Sequence, residues 1–257
     1  MTKTLQRTYA WFVHIFTASG AILGVLALLS AADAYHARLS ENTTDFLFYM
    51  RLSFGYIAIA IIVDAIDGTL ARRVDIKSLA RLDGSLMDNI IDFLTYAVVP
   101  CVWIYVAGVV PNALSIITII LIMLAATFQF CQLDAKTKDH FFKGFPSYWN
   151  LAIYYLIYFQ FSGISNFIII IILCILTFVP IKYIYPSRLN YLSRRNSVKL
   201  IMFIYTLIWG AATITTTILW PYSVSWLSYI IISYLLVYFC FSLYRTLNPL
   251  QKNMEQI

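Results

Sequence analysis

Six of the twelve acidic residues fall in one short stretch between Asp64 and Asp92, and four of these have a spacing that could do chemistry. Asp64 and Asp67 are three apart, and Asp88 and Asp92 are four apart. On helices each pair shares a face, separated by one turn. Two such faces brought together make a four-carboxylate pocket, which cannot stay fully ionised without compensation because like charges oppose one another's ionisation. Divalent cations supply that compensation. Hard oxygen ligands suit magnesium, manganese or calcium, and a pair of such ions about 4 Å apart favours in-line displacement at phosphorus. Gly68 and Gly84 remove side chains where helices or a phosphate must come close, and Arg72 adds a planar cationic fork matched to phosphate oxygens. An acid-lined cation path or an interfacial charge cluster, without chemistry, is the competing reading. A lone intramembrane acid would leave it standing; four acids with two glycines and an arginine in this order weigh against it.

The elements that position these residues must be membrane helices. The chain has 257 residues, 61% hydrophobic and 12% charged, with a mean hydropathy of +0.78. A water-soluble domain carries about a quarter charged residues. A helix needs about 20 apolar residues to cross the hydrocarbon, and apolar runs lie at about 11–33, 46–64, 86–108, 113–134, 147–162, 164–183, 198–220 and 224–244. The expected fold is an all-α polytopic bundle of about eight transmembrane helices, one integral-membrane domain over 1–257. The fifth run is short and its join to the sixth near Gly163 is tight, so a kinked or re-entrant pair is an alternative there. The first run ends in a small-residue stretch, SAADA, yet is longer than a usual signal core, and is read as a retained helix. Cys101, Cys131, Cys174 and Cys240 sit inside apolar runs without metal-type spacing and read as small core residues.

Lys and Arg, counted over alternate loops, give the orientation. Sixteen of eighteen fall on one side, leaving Arg38 and Arg51 on the other. Cytoplasmic loops carry this excess, so both termini and the aspartate-bearing loop are expected in the cytoplasm. The net charge of +6 is thereby a topology signal, and nucleic-acid binding is set aside. Asp64 to Arg72 reads DAIDGTLAR, and after eleven residues Gly84 to Asp92 reads GSLMDNIID.

The pattern resembles the signature of the CDP-alcohol phosphatidyltransferase family, DxxDGxxAR followed by GxxxDxxxD, at every position. The eleven-residue gap is similar to that of the bacterial branch using choline. VDIKSLARLDG, GFPSYWN at Gly144–Asn150 and VPIKYIYPSRLNYL extend the likeness over most of the chain. The resemblance implies that Asp64, Asp67 and Asp88 hold two Mg2+ or Mn2+ ions, with Asp92 as general base and metal neighbour. It also implies that Asp64, Gly68, Ala71, Arg72 and Gly84 take CDP-diacylglycerol. The setting it implies is a bacterial inner membrane with the active site facing the cytoplasm, membrane lipids around it, and a homodimer among the compatible assemblies.

Choline, a quaternary ammonium, calls for aromatic faces. Tyr148 and Trp149 open the fifth helix and are the candidates, with Asn150 either positioning the hydroxyl or capping backbone groups; an interfacial aromatic belt is the alternative for both rings. An anionic acceptor, inositol phosphate or glycerol phosphate, would need extra cationic forks, of which Arg188 is the best placed in sequence; serine is a further sister acceptor. His14 and His140 lack spaced metal partners and read as core or loop residues. A membrane prenyltransferase would separate its two acidic motifs widely, whereas here both halves lie within 29 residues. A divalent-cation transporter would show a second acidic cluster in an internal repeat, which the sequence lacks.

Overall fold

The computed structural model describes residues 3–71, 82–193 and 195–248. Eight principal helices follow one another within them: α1 Lys3–Leu39, α2 Thr43–Ala71, α3 Gly84–Ala107, α4 Asn112–Cys131, α5 Trp149–Phe159, α6 Gly163–Phe178, α7 Asn196–Leu219 and α8 Ser225–Leu247. Each coincides with one apolar run. All but α5 and α6 are long and apolar enough to cross a membrane. These two have 11 and 16 residues, and Gln160 at φ 52° ends α5, which accounts for the short fifth run and the tight join. Large apolar side chains such as Ile116, Ile120 and Leu124 on α4 and Leu200, Ile204 and Leu207 on α7 face outward. Lipid chains, not water, suit such surfaces. The protein is a polytopic helical membrane protein.

The chain forms two compact units. The first holds α1, α2, α3, the first part of α4, α5 and the start of α6. Small residues on α1 let its neighbours approach. Ala27, Ala31 and Ala34 are fully buried, and a Cβ on Gly20 or Gly24 would stand 2.8 Å from Ile91 Cγ2 or 2.7 Å from Leu94 Cδ2. Glycines four apart are the close-packing device of membrane helices. A buried polar chain ties the three helices: Trp103 Nε1 donates to Ser53 Oγ and Ser53 Oγ to the Ala27 carbonyl, both at 2.7 Å. Such groups must pair inside a bilayer.

Helix α3 is regular from Gly84 to Phe93, then makes a π turn over Leu94–Val98. Pro100 explains the position, because its ring has no N–H and would clash with the carbonyl four residues back in a regular α-helix. The wider turn buries Thr95, Tyr96 and Ala97 together. At its other end α3 stops at Gly108, φ 64°, where Arg38 Nη1 donates to the Val106 carbonyl at 2.7 Å. One of the two basic residues outside the expected basic side thus caps a helix.

The second unit holds the rest of α4 and α6, strands β1 Phe141–Lys143 and β2 Lys182–Ile184, a 3-10 turn at Pro186–Tyr191, α7 and α8. The strands are antiparallel with Phe141 opposite Ile184. Side chains of α8 satisfy the far edge of β2: the Lys182 N–H donates to Thr246 Oγ1 at 2.8 Å and Tyr238 Oη to the Ile184 carbonyl at 3.1 Å. Gly144 has φ 78°, and a Cβ there would lie 2.1 Å from the Thr177 carbonyl oxygen, so no other residue fits. No disulfide joins the four cysteines, of which Cys101 and Cys174 are buried. Cys131 and Cys240 are exposed, which corrects their reading as core residues: an apolar run has an outward face too, and a thiol is tolerated there.

Candidate active site

The two halves of the acidic motif meet between α2 and α3. Asp64 of α2 and Asp88 and Asp92 of α3 are half-buried, and one carboxylate oxygen from each lies within 4.8 Å of the others. Asp67, one turn on from Asp64 and 5% exposed, lines the same cleft. All four acids chosen from spacing therefore share one site, and the tightest trio includes Asp92. Thr17 and Gly20 of α1, Ala60 and Val63 of α2, and Ile91 and Thr95 of α3 complete the lining. The absent side chain of Gly20 keeps the cleft open beside Ile91.

Asp83, a further acid of the Asp64–Asp92 stretch, has a different task. Its carboxylate accepts the Ser85 and Leu86 N–H groups at 3.1 Å and caps α3. An Asp before a helical run is a recognisable cap, and it fixes where Gly84 begins the helix. A Cβ on Gly84 would lie 3.2 Å from His14 Cε1. His14 itself is 5% exposed and buried on α1, the core position expected of it, one turn before Thr17. His140 sits in a turn at φ 61° with its ring 3.8 Å from that of Tyr191, a loop histidine as read.

Tyr96 was not among the residues singled out by spacing. Its Oη donates to Asp64 Oδ2 at 2.6 Å, and its ring meets Tyr148 edge-on with centroids 6.0 Å apart. The available signal was its position, four residues beyond Asp92 and eight beyond Asp88, on the stripe that the acids define. Tyr148 leads into α5 and is half-buried, so the structure brings it to the tyrosine that holds Asp64. Trp149 and Asn150 are 0% and 1% exposed. Asn150 Oδ1 accepts the Leu151 N–H at 2.8 Å, the capping alternative for this residue.

Gly68 and Ala71 lie on the last turns of α2. Arg72 lies outside the described residues. Arg188 belongs to the second unit, in the 3-10 turn, with non-helical φ/ψ of −127° and 31°.

Relatives named phosphatidylcholine synthase cover between 72% and 97% of the chain. The phosphatidylcholine synthase of Legionella pneumophila is 39% identical over 253 residues, 97% of this chain and 93% of the relative. The phosphatidylcholine synthase of Legionella bozemanae is 43% identical over 207 residues, 80% of this chain and 94% of its own. That of Borreliella burgdorferi is 37% identical over 187 residues, covering 72% and 74%. This chain belongs to the phosphatidylcholine synthase family. No family model matches it. Because the first alignment spans 97% of the chain, membership of the phosphatidylcholine synthase family extends to both compact units and is not confined to the acidic motif.

Proposed function

We propose that the protein transfers the phosphatidyl group of CDP-diacylglycerol to choline, giving phosphatidylcholine and CMP, at the cytoplasmic face of a bacterial inner membrane. The observation that carries the reading is the convergence of Asp64, Asp88 and Asp92, from two helices and with oxygens within 4.8 Å of one another. Like-charged carboxylates at that separation need a cation to stay ionised, and an all-oxygen donor set suits Mg2+ or Mn2+. Asp64, Asp67, Asp88 and Asp92 would hold two such ions. Bound ions would supply charge stabilisation on the phosphates and on departing CMP.

The remaining work falls to the chain's own residues. Asp92 accepts the proton of the choline hydroxyl as its oxygen bonds to the phosphorus that bears diacylglycerol. The bond from that phosphorus to the CMP oxygen breaks, and CMP leaves with the electron pair. No covalent intermediate on the protein is needed. Gly68, Ala71, Arg72 and Gly84 receive the cytidine diphosphate portion, Arg72 through its fork. The acyl chains of the donor stay in the bilayer. Tyr148 and Trp149 offer aromatic faces to the trimethylammonium group, and Asn150 lies beside them; the placing of Tyr148 against the Asp64-bound Tyr96 supports this side as the acceptor's.

Metal dependence tests the reading. Activity of the purified protein should vanish in chelator and return with Mn2+ or Mg2+, while Ca2+ restores it poorly because its longer, looser coordination misplaces the phosphates. Full turnover in chelator would refute the metal-assisted displacement.

A further inference from the structure

Tyr96 is held at both ends. Its hydroxyl donates to Asp64 Oδ2 at 2.6 Å, and its ring packs edge-on against Tyr148 at an interplanar angle of 65°. It sits within the π turn Leu94–Val98 between the buried Thr95 and Ala97. π turns inside α-helices are frequent at functional sites. Here the turn gives a residue one step past the acidic stripe a line to a carboxylate on the neighbouring helix.

We propose that Tyr96 is a positioning residue that fixes how Asp64 presents its carboxylate and thereby biases which divalent ion the cluster takes. The proposal rests on the reading of Asp64, Asp88 and Asp92 as a metal site. A carboxylate can chelate one ion through both oxygens or bind through one. With one lone pair of Oδ2 taken by the phenol, two-oxygen chelation by Asp64 is disfavoured against ligation through the other oxygen. Ca2+ accommodates two-oxygen ligation within its six to eight ligands, whereas Mg2+ and ions of similar size demand near-octahedral single-oxygen contacts. Tyr96 therefore works against calcium. Partners that hydrogen-bond a metal ligand typically account for 10- to 100-fold in metal affinity or activity.

The test compares the parent, Tyr96→Phe and Asp64→Asn in direct metal titrations, free of substrate. Purified protein is titrated with MnCl2 and separately with CaCl2, and half-saturation is read from the metal-induced rise in Tm. Tyr96→Phe keeps the ring and loses one oxygen, so its metal-free Tm should stay close to the parent's. Its half-saturating Mn2+ concentration should rise about 10-fold or more, that of Ca2+ should rise less, and the ratio between the ions should narrow. Equal weakening of both ions, or an unchanged Mn2+ titration, overturns the proposal. For a variant too fragile in detergent, electron paramagnetic resonance of free Mn2+ over membrane vesicles, with Ca2+ as competitor, gives the same two constants. A parent without Mn2+-dependent stabilisation, or Asp64→Asn titrating like the parent, removes the metal reading itself and this proposal with it. If those two controls behave and only Tyr96→Phe is silent, the metal site stands and the role of Tyr96 falls.

Discussion

Asp92 and Asp64 carry the same functional group, and the proposed mechanism gives them different work. Asp64 is bound by Tyr96 and fixed in place, which suits a ligand; Asp92 shares the cluster one helix away and is assigned to the acceptor's proton. Asp92→Asn should lower turnover roughly 100- to 10,000-fold, the usual contribution of a positioned base, while CDP-diacylglycerol still binds. Near-normal turnover would remove Asp92 from catalysis. Neutralising Asp64, Asp67 or Asp88 should shift the metal titration together with the rate, and a variant with neither change would leave the site. On the acceptor side, Tyr148→Leu removes an aromatic face and should raise the choline KM about 2- to 30-fold, the range of a cation–π contact, with the CDP-diacylglycerol KM unchanged. Trp149, fully buried, should in addition lose stability as leucine, by ~2 kcal/mol from the cavity left behind. A lowered Tm with an unmoved choline KM would make it a packing residue only. The aspartates were legible in the sequence because acids at membrane depth are costly and their spacing repeats a helical turn. Tyr96 was not, because it is one of nineteen tyrosines in a chain where aromatic residues also mark the membrane interface.

At the scale of elements, the site depends on how closely α1 lets α3 approach. A leucine at Gly24 would drive side-chain atoms into Leu94, whose Cδ2 already lies 2.7 Å from an ideal Cβ. Overpacking of that kind costs about 1–3 kcal/mol. Gly24→Leu should therefore lower Tm and weaken Mn2+ binding, whereas Gly210→Leu on α7, with nothing within 4 Å of its Cβ, should do neither. Equal melting of the two variants would contradict the close-packing account. All eight helices were readable from apolar runs, including the shortness of the fifth, since length and hydropathy are local properties. The three-residue strands were not: the facing residues Lys143 of β1 and Lys182 of β2 are 39 residues apart, and β2 is held by α8 side chains, a non-local arrangement that no short window contains. The π turn was equally hidden, although Pro100 marks its cause in hindsight.

For the whole molecule, the lopsided distribution of Lys and Arg predicts the orientation, and under the proposed function orientation decides whether the aspartate site meets CDP-linked substrates and free metal ions. In a background lacking the four native cysteines, of which Cys131 and Cys240 are exposed, a cysteine at Lys77 should resist an impermeant thiol reagent in intact cells and react after permeabilisation. Reaction in intact cells would invert the topology and separate the site from its supply. Identity with a named relative over nearly the full chain makes the acceptor the central claim, because the aspartate cluster would serve any sister alcohol. The most direct measurement incubates the purified protein with CDP-diacylglycerol, Mn2+ and one radiolabelled acceptor at a time: choline, serine, glycerol phosphate or inositol phosphate. Labelled lipid from choline alone is the predicted result; labelled lipid from one of the other three, with none from choline, would contradict it.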